Sequence, residues 1–178
     1  IYMEELQKKR GRKGITLPDA RRLLKSRVWF GSMMVEMGDA DGIIGGISRD
    51  YPEFLKPCLA TIGMDEDAHR VVGTYMMTIK GQLMFISDAT INIYPDARTL
   101  AEIAVQTARV ARRFGIEPRV ALLSFSNFGS SSQYRSERIE DSLEMARELD
   151  PSLIIDGPMQ ADTALVPSIQ EQYPFMTL

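Results

Sequence analysis

The sequence is poor in the residues that mark a disulfide scaffold or a zinc centre. Its 178 residues include one cysteine, Cys58, and one histidine, His69. A single cysteine excludes an internal disulfide, and neither residue has the cysteine or histidine partners of a zinc site. His69 lies in the polar stretch MDEDAHR, which makes it a poor candidate for the base of a Ser–His–Asp triad. We therefore expect neither a metal centre nor triad chemistry in this chain.

Basic charge and long apolar runs are missing as well. Acidic residues outnumber basic ones by 24 to 21, which gives a net charge of −3. Proteins that bind nucleic acids or acidic membranes usually carry a basic excess, so we expect neither partner. No apolar run approaches the roughly 20 residues of a membrane-spanning helix, and the lone Cys58 fits a reducing compartment. The sequence predicts a cytoplasmic protein, and its first residue, Ile1, indicates a piece of a longer chain.

The second half of the chain alternates strand and helix patterns. Apolar runs at 71–79 and 83–87 flank a short Lys-Gly-Gln turn, which predicts a β-hairpin. Residues 96–114 carry apolar side chains every three or four positions, the pattern of an amphipathic helix. A strand at 119–125, a helix at 135–149 and a strand at 153–155 follow. Because a helix separates these two strands, we expect them to pair in parallel as a βαβ unit.

The first half is predicted to be mainly helical. Thr16, followed by Pro18 and Asp19, has the composition of a helix start. Helices are also predicted at 30–37 and 51–62. Between them, the stretch DGIIGGI at 41–47 predicts a short buried strand that opens into a glycine turn.

The loop after the 119–125 strand is the clearest candidate site. Its sequence SNFGSSSQ supplies small residues whose backbone N–H groups can point outward, and it leads into a helix N-terminus. Hydroxyl donors from Ser126, Ser130, Ser131 and Ser132, with charge from Arg135, would then suit an anion such as phosphate, an acyl phosphate or a phosphate group of CoA. The alternative is a plain helix-capping loop, because Ser and Asn cap helices in any case.

Polar residues follow two further strand patterns. Gln160 and Asp162 come after the 153–155 strand, where they form a second wall of the same cleft or serve turn and capping chemistry. Thr90 follows the 83–87 strand, where a ligand contact and an Asx-type turn are both open. These positions are of interest because ligands of open parallel α/β sheets bind outside the carboxyl ends of the strands.

Four segments together resemble the phosphate acetyltransferase family in order and spacing. They are FGSMMVEMGDADGIIGG, FISDATIN, ARRFGIEPRVALLSFSNFGS and IIDGPMQADTAL, and the resemblance extends over essentially the whole chain. It implies an α/β, two-lobed phosphotransacetylase-like (isocitrate/isopropylmalate dehydrogenase-like) fold, with mostly parallel sheets flanked by helices and acetyl-CoA between the lobes. Residues 1–72 are then part of the first lobe. Residues 73–178 are the second lobe, which is incomplete because the family's C-terminal part is missing.

Within this family, the sequence is more similar to the C-terminal domain of bacterial NADP-dependent malic enzymes. Free-standing transacetylases usually carry Asp-Cys-Ala in the second motif, where this chain has Asp88, Ala89 and Thr90. They usually carry Leu-Arg-Pro after the glycine turn, where this chain places Lys56 between Leu and Pro. Their catalytic Ser-Arg and the following Asp lie in a later segment, which this chain lacks.

The resemblance implies a regulatory role. The domain would bind acetyl-CoA as an effector and support assembly of a homo-oligomer. NADP and a divalent metal would belong to a missing upstream region that converts malate to pyruvate and CO2. Two alternatives stay open: a fragment of a true phosphate acetyltransferase, which makes acetyl phosphate and CoA from acetyl-CoA and phosphate, and an oligomerisation module with a vestigial pocket. No catalytic residue is assigned. The residues predicted to bind acetyl-CoA or phosphate are Ser126, Gly129, Ser130, Gln160, Asp162, Thr90, Lys56 and Arg10.

Overall fold

The computed structural model describes residues 1–128 and 135–178. The chain divides into two compact units, Ile1–Arg70 and Val71–Leu178, each with its own internal packing. Among the helices of the described ranges, none is long and apolar enough to cross a membrane.

The first unit is built from helices. Its four α-helices are α1 (Tyr2–Arg10), α2 (Leu17–Leu23), α3 (Arg27–Glu36) and α4 (Tyr51–Thr61). A short 3₁₀ turn follows α1. One side chain from each of the first three helices, Leu6, Ala20 and Met33, is fully buried in a common core. The start of α2 has the predicted cap: Thr16 Oγ1 accepts the Asp19 N–H at 3.3 Å, and an Asp19 carboxylate oxygen accepts the Thr16 N–H at 3.2 Å.

Arg10 joins the end of α1 to the end of α4. Its guanidinium group donates to the carbonyl oxygens of Leu59, at 2.6 Å, and of Ala60. Carbonyls in the last turn of a helix lack intrahelical partners and carry partial negative charge, so a cation there stabilises the helix end. This side chain therefore has a structural role within the first unit.

The predicted strand at 41–47 is wrong. In the described residues this segment forms no strand, and the side chains of Ile44 and Ile47 are fully exposed. A strand needs a neighbouring backbone with which to pair, and the described residues of the first unit form helices and loops only. Ile43 packs instead against α3, where a Cβ added at Gly31 would lie 2.8 Å from Ile43 Cδ1.

The second unit begins with the predicted hairpin. Strands β1 (Thr74–Ile79) and β2 (Gln82–Ser87) pair antiparallel, with Ile79 opposite Gln82 at the turn. The two turn residues, Lys80 and Gly81, both have positive φ, 50° and 81°, as a type I′ turn requires.

A helix and a βαβ unit complete the fold. Helix α5 (Ala97–Arg113) begins at Asp96, whose carboxylate accepts the Thr99 N–H at 2.7 Å. The remaining elements are β3 (Arg119–Leu123), α6 (Arg135–Leu149), β4 (Ile154–Met159), α7 (Ala161–Leu165) and α8 (Pro167–Gln170). Strands β3 and β4 pair in parallel, which confirms the predicted βαβ unit.

Small side chains set the packing of α5 against α6. The α5 face is mostly alanine, which lets the two helix backbones approach closely over the sheet. The buried cluster consists of Ala101, Ala104, Val105 and Ala108 of α5 with Leu143, Ala146, Leu153 and Ile155. At the edge of this core, Arg112 Nη1 donates to Asp150 Oδ2 at 2.6 Å, and this hydrogen bond lowers the pKa of Asp150.

The cap of α2 gives a direct test of the first unit. We expect Thr16→Ala to lower the free energy of unfolding by about 1 kcal/mol, because the Asp19 N–H loses its acceptor, Thr16 Oγ1, and the Asp19 carboxylate loses the hydrogen bond from the Thr16 hydroxyl. Ser26→Ala is the matched control, since Ser26 is the N-cap of α3 but makes no side-chain capping bond. Urea denaturation of both variants measures the difference. Equal stability of the two variants would contradict the capping role.

Candidate ligand-binding site

Parallel pairing brings two chain segments to the same edge of the β3–β4 sheet. Leu123, the last residue of β3, lies opposite Met159, the last residue of β4. The segments that leave these strands, 124–128 and 160–165, therefore start side by side. In α/β proteins this edge is the usual location of a ligand site.

Backbone bonds hold the first segment against β4. The Ser124 N–H donates to the Met159 carbonyl at 2.8 Å, and the Phe128 N–H donates to the Pro158 carbonyl at 2.6 Å. Phe128 has a φ of 44°, in the left-handed region that non-glycine residues seldom adopt. The chain thus turns at Phe128 while it remains attached to the neighbouring strand.

Asn127 and Gln160 bind each other across the two strand ends. The Gln160 N–H donates to Asn127 Oδ1 at 2.7 Å, and Asn127 Nδ2 donates to Gln160 Oε1 at 3.2 Å. Gln160 Nε2 also donates to the Phe125 carbonyl at 2.9 Å. Because these bonds use both ends of the Gln160 amide, this side chain positions the loop and leaves one face exposed to solvent.

The C-terminal segment packs on the same loop. Asn127 Nδ2 donates to Tyr173 Oη at 3.2 Å. The Phe128 ring lies 5.2 Å from the Tyr173 ring and 4.9 Å from the Phe175 ring, centroid to centroid. Such tilted and edge-on ring pairs are favourable arrangements. The segment is further tied to β4, because Asp156 Oδ2 accepts the Thr177 N–H at 2.7 Å.

An open pocket of about 330 Å³ lies at the end of β3. It is lined by Leu123, Ser124 and Phe125 on the strand side and by Arg138 and Ile139 of α6. Within the described residues, Arg138 Nε is one of two buried side-chain polar atoms without a hydrogen-bond partner, and Thr163 Oγ1 is the other.

Asp88 organises the turn after β2. Its carboxylate accepts the N–H groups of Thr90 and Ile91, each at 2.9 Å, and the Asn92 side-chain amide at 2.6 Å. Burial alone would raise the pKa of Asp88, but these N–H groups and that of Gly73 outweigh it and lower the pKa. The described residues hold no group of three or more His, Cys, Asp or Glu side chains suited to a metal ion.

A family model for phosphate acetyl/butaryl transferase matches residues 1–178, the whole chain. The chain belongs to this family. The chain is 38% identical over 168 residues to a phosphate acetyltransferase of Corynebacterium glutamicum, with 94% of the chain and 51% of that relative covered. It is also 40% identical over 170 residues to an NADP-dependent malic enzyme of Salmonella typhimurium, with 95% and 22% covered.

The fold of the family agrees with the structure. A solved phosphotransacetylase from Streptococcus pyogenes superimposes with a TM-score of 0.86 at 33% identity, covering 99% of this chain and 54% of that one. This likeness confirms the predicted α/β phosphotransacetylase fold. The chain spans about half the length of the Corynebacterium glutamicum phosphate acetyltransferase and about a fifth of the malic enzyme.

Four of the predicted ligand residues lie at strand ends of the second unit. Ser126 is half-buried between Phe125 and Asn127, both of which bond to Gln160. Asp162 is exposed on α7, where its Oδ1 accepts the Thr163 N–H at 2.8 Å. Thr90 is exposed at the end of β2, in the Asp88 turn. Of these residues, Ser126 and Gln160 lie in the two segments that the Asn127–Gln160 and Phe125–Gln160 bonds hold together.

The other predicted residues fall elsewhere. Lys56 is exposed on α4 of the first unit, and Arg10 is bonded to the α4 carbonyls described above. Gly129 and Ser130 lie outside the described residues, so the central part of the predicted anion loop is not tested.

The prediction from sequence did not include Asn127, Tyr173 or Arg138. Asn127 had a visible signal, since it is an amide in a loop directly after a strand. Arg138 also had one, because it is a cation in the helix that follows this loop. Tyr173 had none: it lies 46 residues from Asn127, and only the tertiary fold brings them together.

The Asp88 turn gives a second prediction. Asp88→Asn replaces an anionic acceptor by an amide, and we expect the free energy of unfolding to fall by about 1–2 kcal/mol. Asp65→Asn is the control, because Asp65 accepts one exposed backbone N–H, from Asp67 at 3.1 Å. Chemical denaturation at pH 7 compares the two variants.

The contribution of Asp88 to the free energy of unfolding depends on pH in a defined direction. The folded-state pKa of Asp88 is lowered, so its stabilisation is complete above the unfolded-state value of about 4 and is lost as the pH falls through the folded-state pKa. The difference between wild type and Asp88→Asn should therefore shrink below pH 4. A difference that is independent of pH would contradict the turn's dependence on the carboxylate.

Proposed function

We propose that this chain is the phosphotransacetylase-like domain of an NADP-dependent malic enzyme and that it binds acetyl-CoA as an effector. On this proposal, acetyl-CoA is held at the carboxyl ends of β3 and β4 and is not consumed. The malate-oxidising reaction, with NADP and a divalent metal, belongs to a different region of the full protein. The domain also contributes to a homo-oligomeric assembly.

The observation that carries the proposal is the Asp88 turn. Asp88 and Asn92 make the hydrogen bonds that shape this turn, and both match the second family motif. Between them, Ala89 stands where free-standing transacetylases usually carry a cysteine. The turn thus keeps its framework but departs from the free-standing transacetylases at Ala89. This departure favours the malic-enzyme branch of the family.

Acetyl-CoA has suitable contacts at the strand ends. It combines phosphate groups with apolar and amide portions, and the candidate site offers hydroxyl and amide groups, a guanidinium group and exposed rings. Regulation would follow if acetyl-CoA bound one arrangement of the full protein more tightly than another. Linkage then requires that substrate binding also change the affinity for acetyl-CoA by the same factor.

A second function has its own support. The chain is as similar to a phosphate acetyltransferase, at 38% identity, as to a malic enzyme, at 40%, and its fold matches a solved phosphotransacetylase. In such an enzyme, Arg138 and backbone N–H groups would stabilise charge that develops on the phosphate and acetyl oxygens. The fold itself does not distinguish the two functions.

The test uses the full protein that contains this chain. We expect NADP-dependent malate oxidation whose rate changes severalfold when acetyl-CoA is titrated, and no formation of acetyl phosphate from acetyl-CoA and phosphate. Acetyl phosphate formation without malate oxidation would replace the proposal by the transacetylase function. Malate oxidation that is unaffected by acetyl-CoA, with no heat of binding in calorimetry, would leave an assembly role.

A further inference from the structure

Arg138 is a charged group that the packing of the second unit leaves unpaired. Its side chain is half-buried at the wall of the pocket beside β3, and its Nε is buried without a hydrogen-bond partner. Within residues 1–128 and 135–178, its guanidinium group forms no ion pair. Asp141 lies three residues further along α6, a spacing that commonly allows an ion pair, and none is formed.

The other arginines of the second unit whose side chains the structure describes are paired or exposed. Arg112 pairs with Asp150, and Arg98 Nε donates to Glu102 Oε1 at 2.9 Å. Arg113 and Arg119 are exposed, so water satisfies their donors. Arg138 therefore differs from these arginines in having a guanidinium nitrogen, Nε, that is buried and receives no acceptor from the described part of the protein.

A buried Nε–H group without an acceptor favours a ligand that supplies one. Withdrawing a charged donor from water is unfavourable unless an acceptor replaces the lost hydration. The pocket beside Arg138 has about 330 Å³ of open space, and Ser124 contributes a hydroxyl group to the same wall. The backbone N–H of Ser124 is already bonded to Met159, which fixes the residue and leaves its hydroxyl available.

We propose that Arg138 anchors an oxyanion in this pocket, namely a phosphate group of the bound ligand, with the Ser124 hydroxyl as a second donor. The planar guanidinium group matches the oxygens of a phosphate and can donate two parallel hydrogen bonds to it. Leu123 and Phe125 form apolar walls on either side of Ser124. The assignment rests on the proposed function in one respect, which is that acetyl-CoA is the ligand carrying the phosphate.

The experiment compares Arg138→Gln with the wild-type sequence in the full protein. Isothermal calorimetry is run with acetyl-CoA, with acetyl-CoA that lacks its 3′-phosphate, and with inorganic phosphate. We expect Arg138→Gln to weaken acetyl-CoA binding about ten- to a hundredfold, the usual loss for a hydrogen bond to a charged group. Arg138→Lys keeps the charge but loses the planar guanidinium group that can donate two parallel hydrogen bonds. Its affinity for acetyl-CoA should therefore lie between those of the wild type and Arg138→Gln. Arg113→Gln, an exposed arginine of α5, should bind like wild type.

The three ligands separate the sources of the phosphate. If Arg138→Gln weakens acetyl-CoA binding but not binding of the form without the 3′-phosphate, Arg138 holds the 3′-phosphate. If it weakens both, Arg138 holds the diphosphate. Wild-type affinity of Arg138→Gln for all three ligands, with unchanged circular dichroism, would overturn the assignment.

The measurement with inorganic phosphate distinguishes failure of the acetyl-CoA effector proposal from failure of the Arg138 oxyanion proposal. If the wild-type protein binds phosphate and not acetyl-CoA, and Arg138→Gln loses phosphate binding, the effector proposal fails and the oxyanion pocket stands. If the wild-type protein binds none of the three ligands, both proposals fail.

Discussion

The parallel pairing of β3 with β4 is the constraint on which the candidate site depends. The register places Leu123 opposite Met159, and this alone brings Asn127 within reach of Gln160 although 33 residues separate them in sequence. The register is held from outside the sheet, where the alanine-rich face of α5 packs with α6 over Ile155. A slip of one residue would turn these buried side chains outward, so the core and the site have a common origin.

The elements that follow from local pattern could be predicted from the sequence. Helix α6 has the predicted bounds, Arg135–Leu149, and the hairpin forms around the Lys80–Gly81 turn, because periodicity and turn chemistry are local properties. The predicted strand at 41–47 was wrong because an apolar run forms a buried strand only where a neighbouring backbone can pair with it. The site shows the same division: Gln160 was predicted from its place after a strand, whereas its bonds to Asn127 and Phe125 depend on tertiary structure.

Membership of the phosphate acetyl/butaryl transferase family does not decide between a transacetylase and a domain of a malic enzyme. The family includes relatives of two kinds, and this chain covers about half of the phosphate acetyltransferase and about a fifth of the malic enzyme described above. The proposed effector role rests on the turn after β2, where the framework of the family motif is kept and one side chain differs. Asp88 maintains the turn after β2, while Ala89 contributes no reactive group there. Gln160 positions the loop through its bonds to Asn127 and Phe125, and Arg138 is the residue that we propose for a phosphate group of the ligand.

Amide hydrogen exchange of the full protein, with and without acetyl-CoA, tests the central claim most directly. If acetyl-CoA binds at the carboxyl ends of β3 and β4, amides of residues 124–128 and of α7 should exchange more slowly in its presence. Amides at the opposite ends of the same strands, near Arg119 and Ile154, should be unchanged. Slower exchange that is confined to other parts of the protein, or no change at saturating acetyl-CoA, would contradict the account.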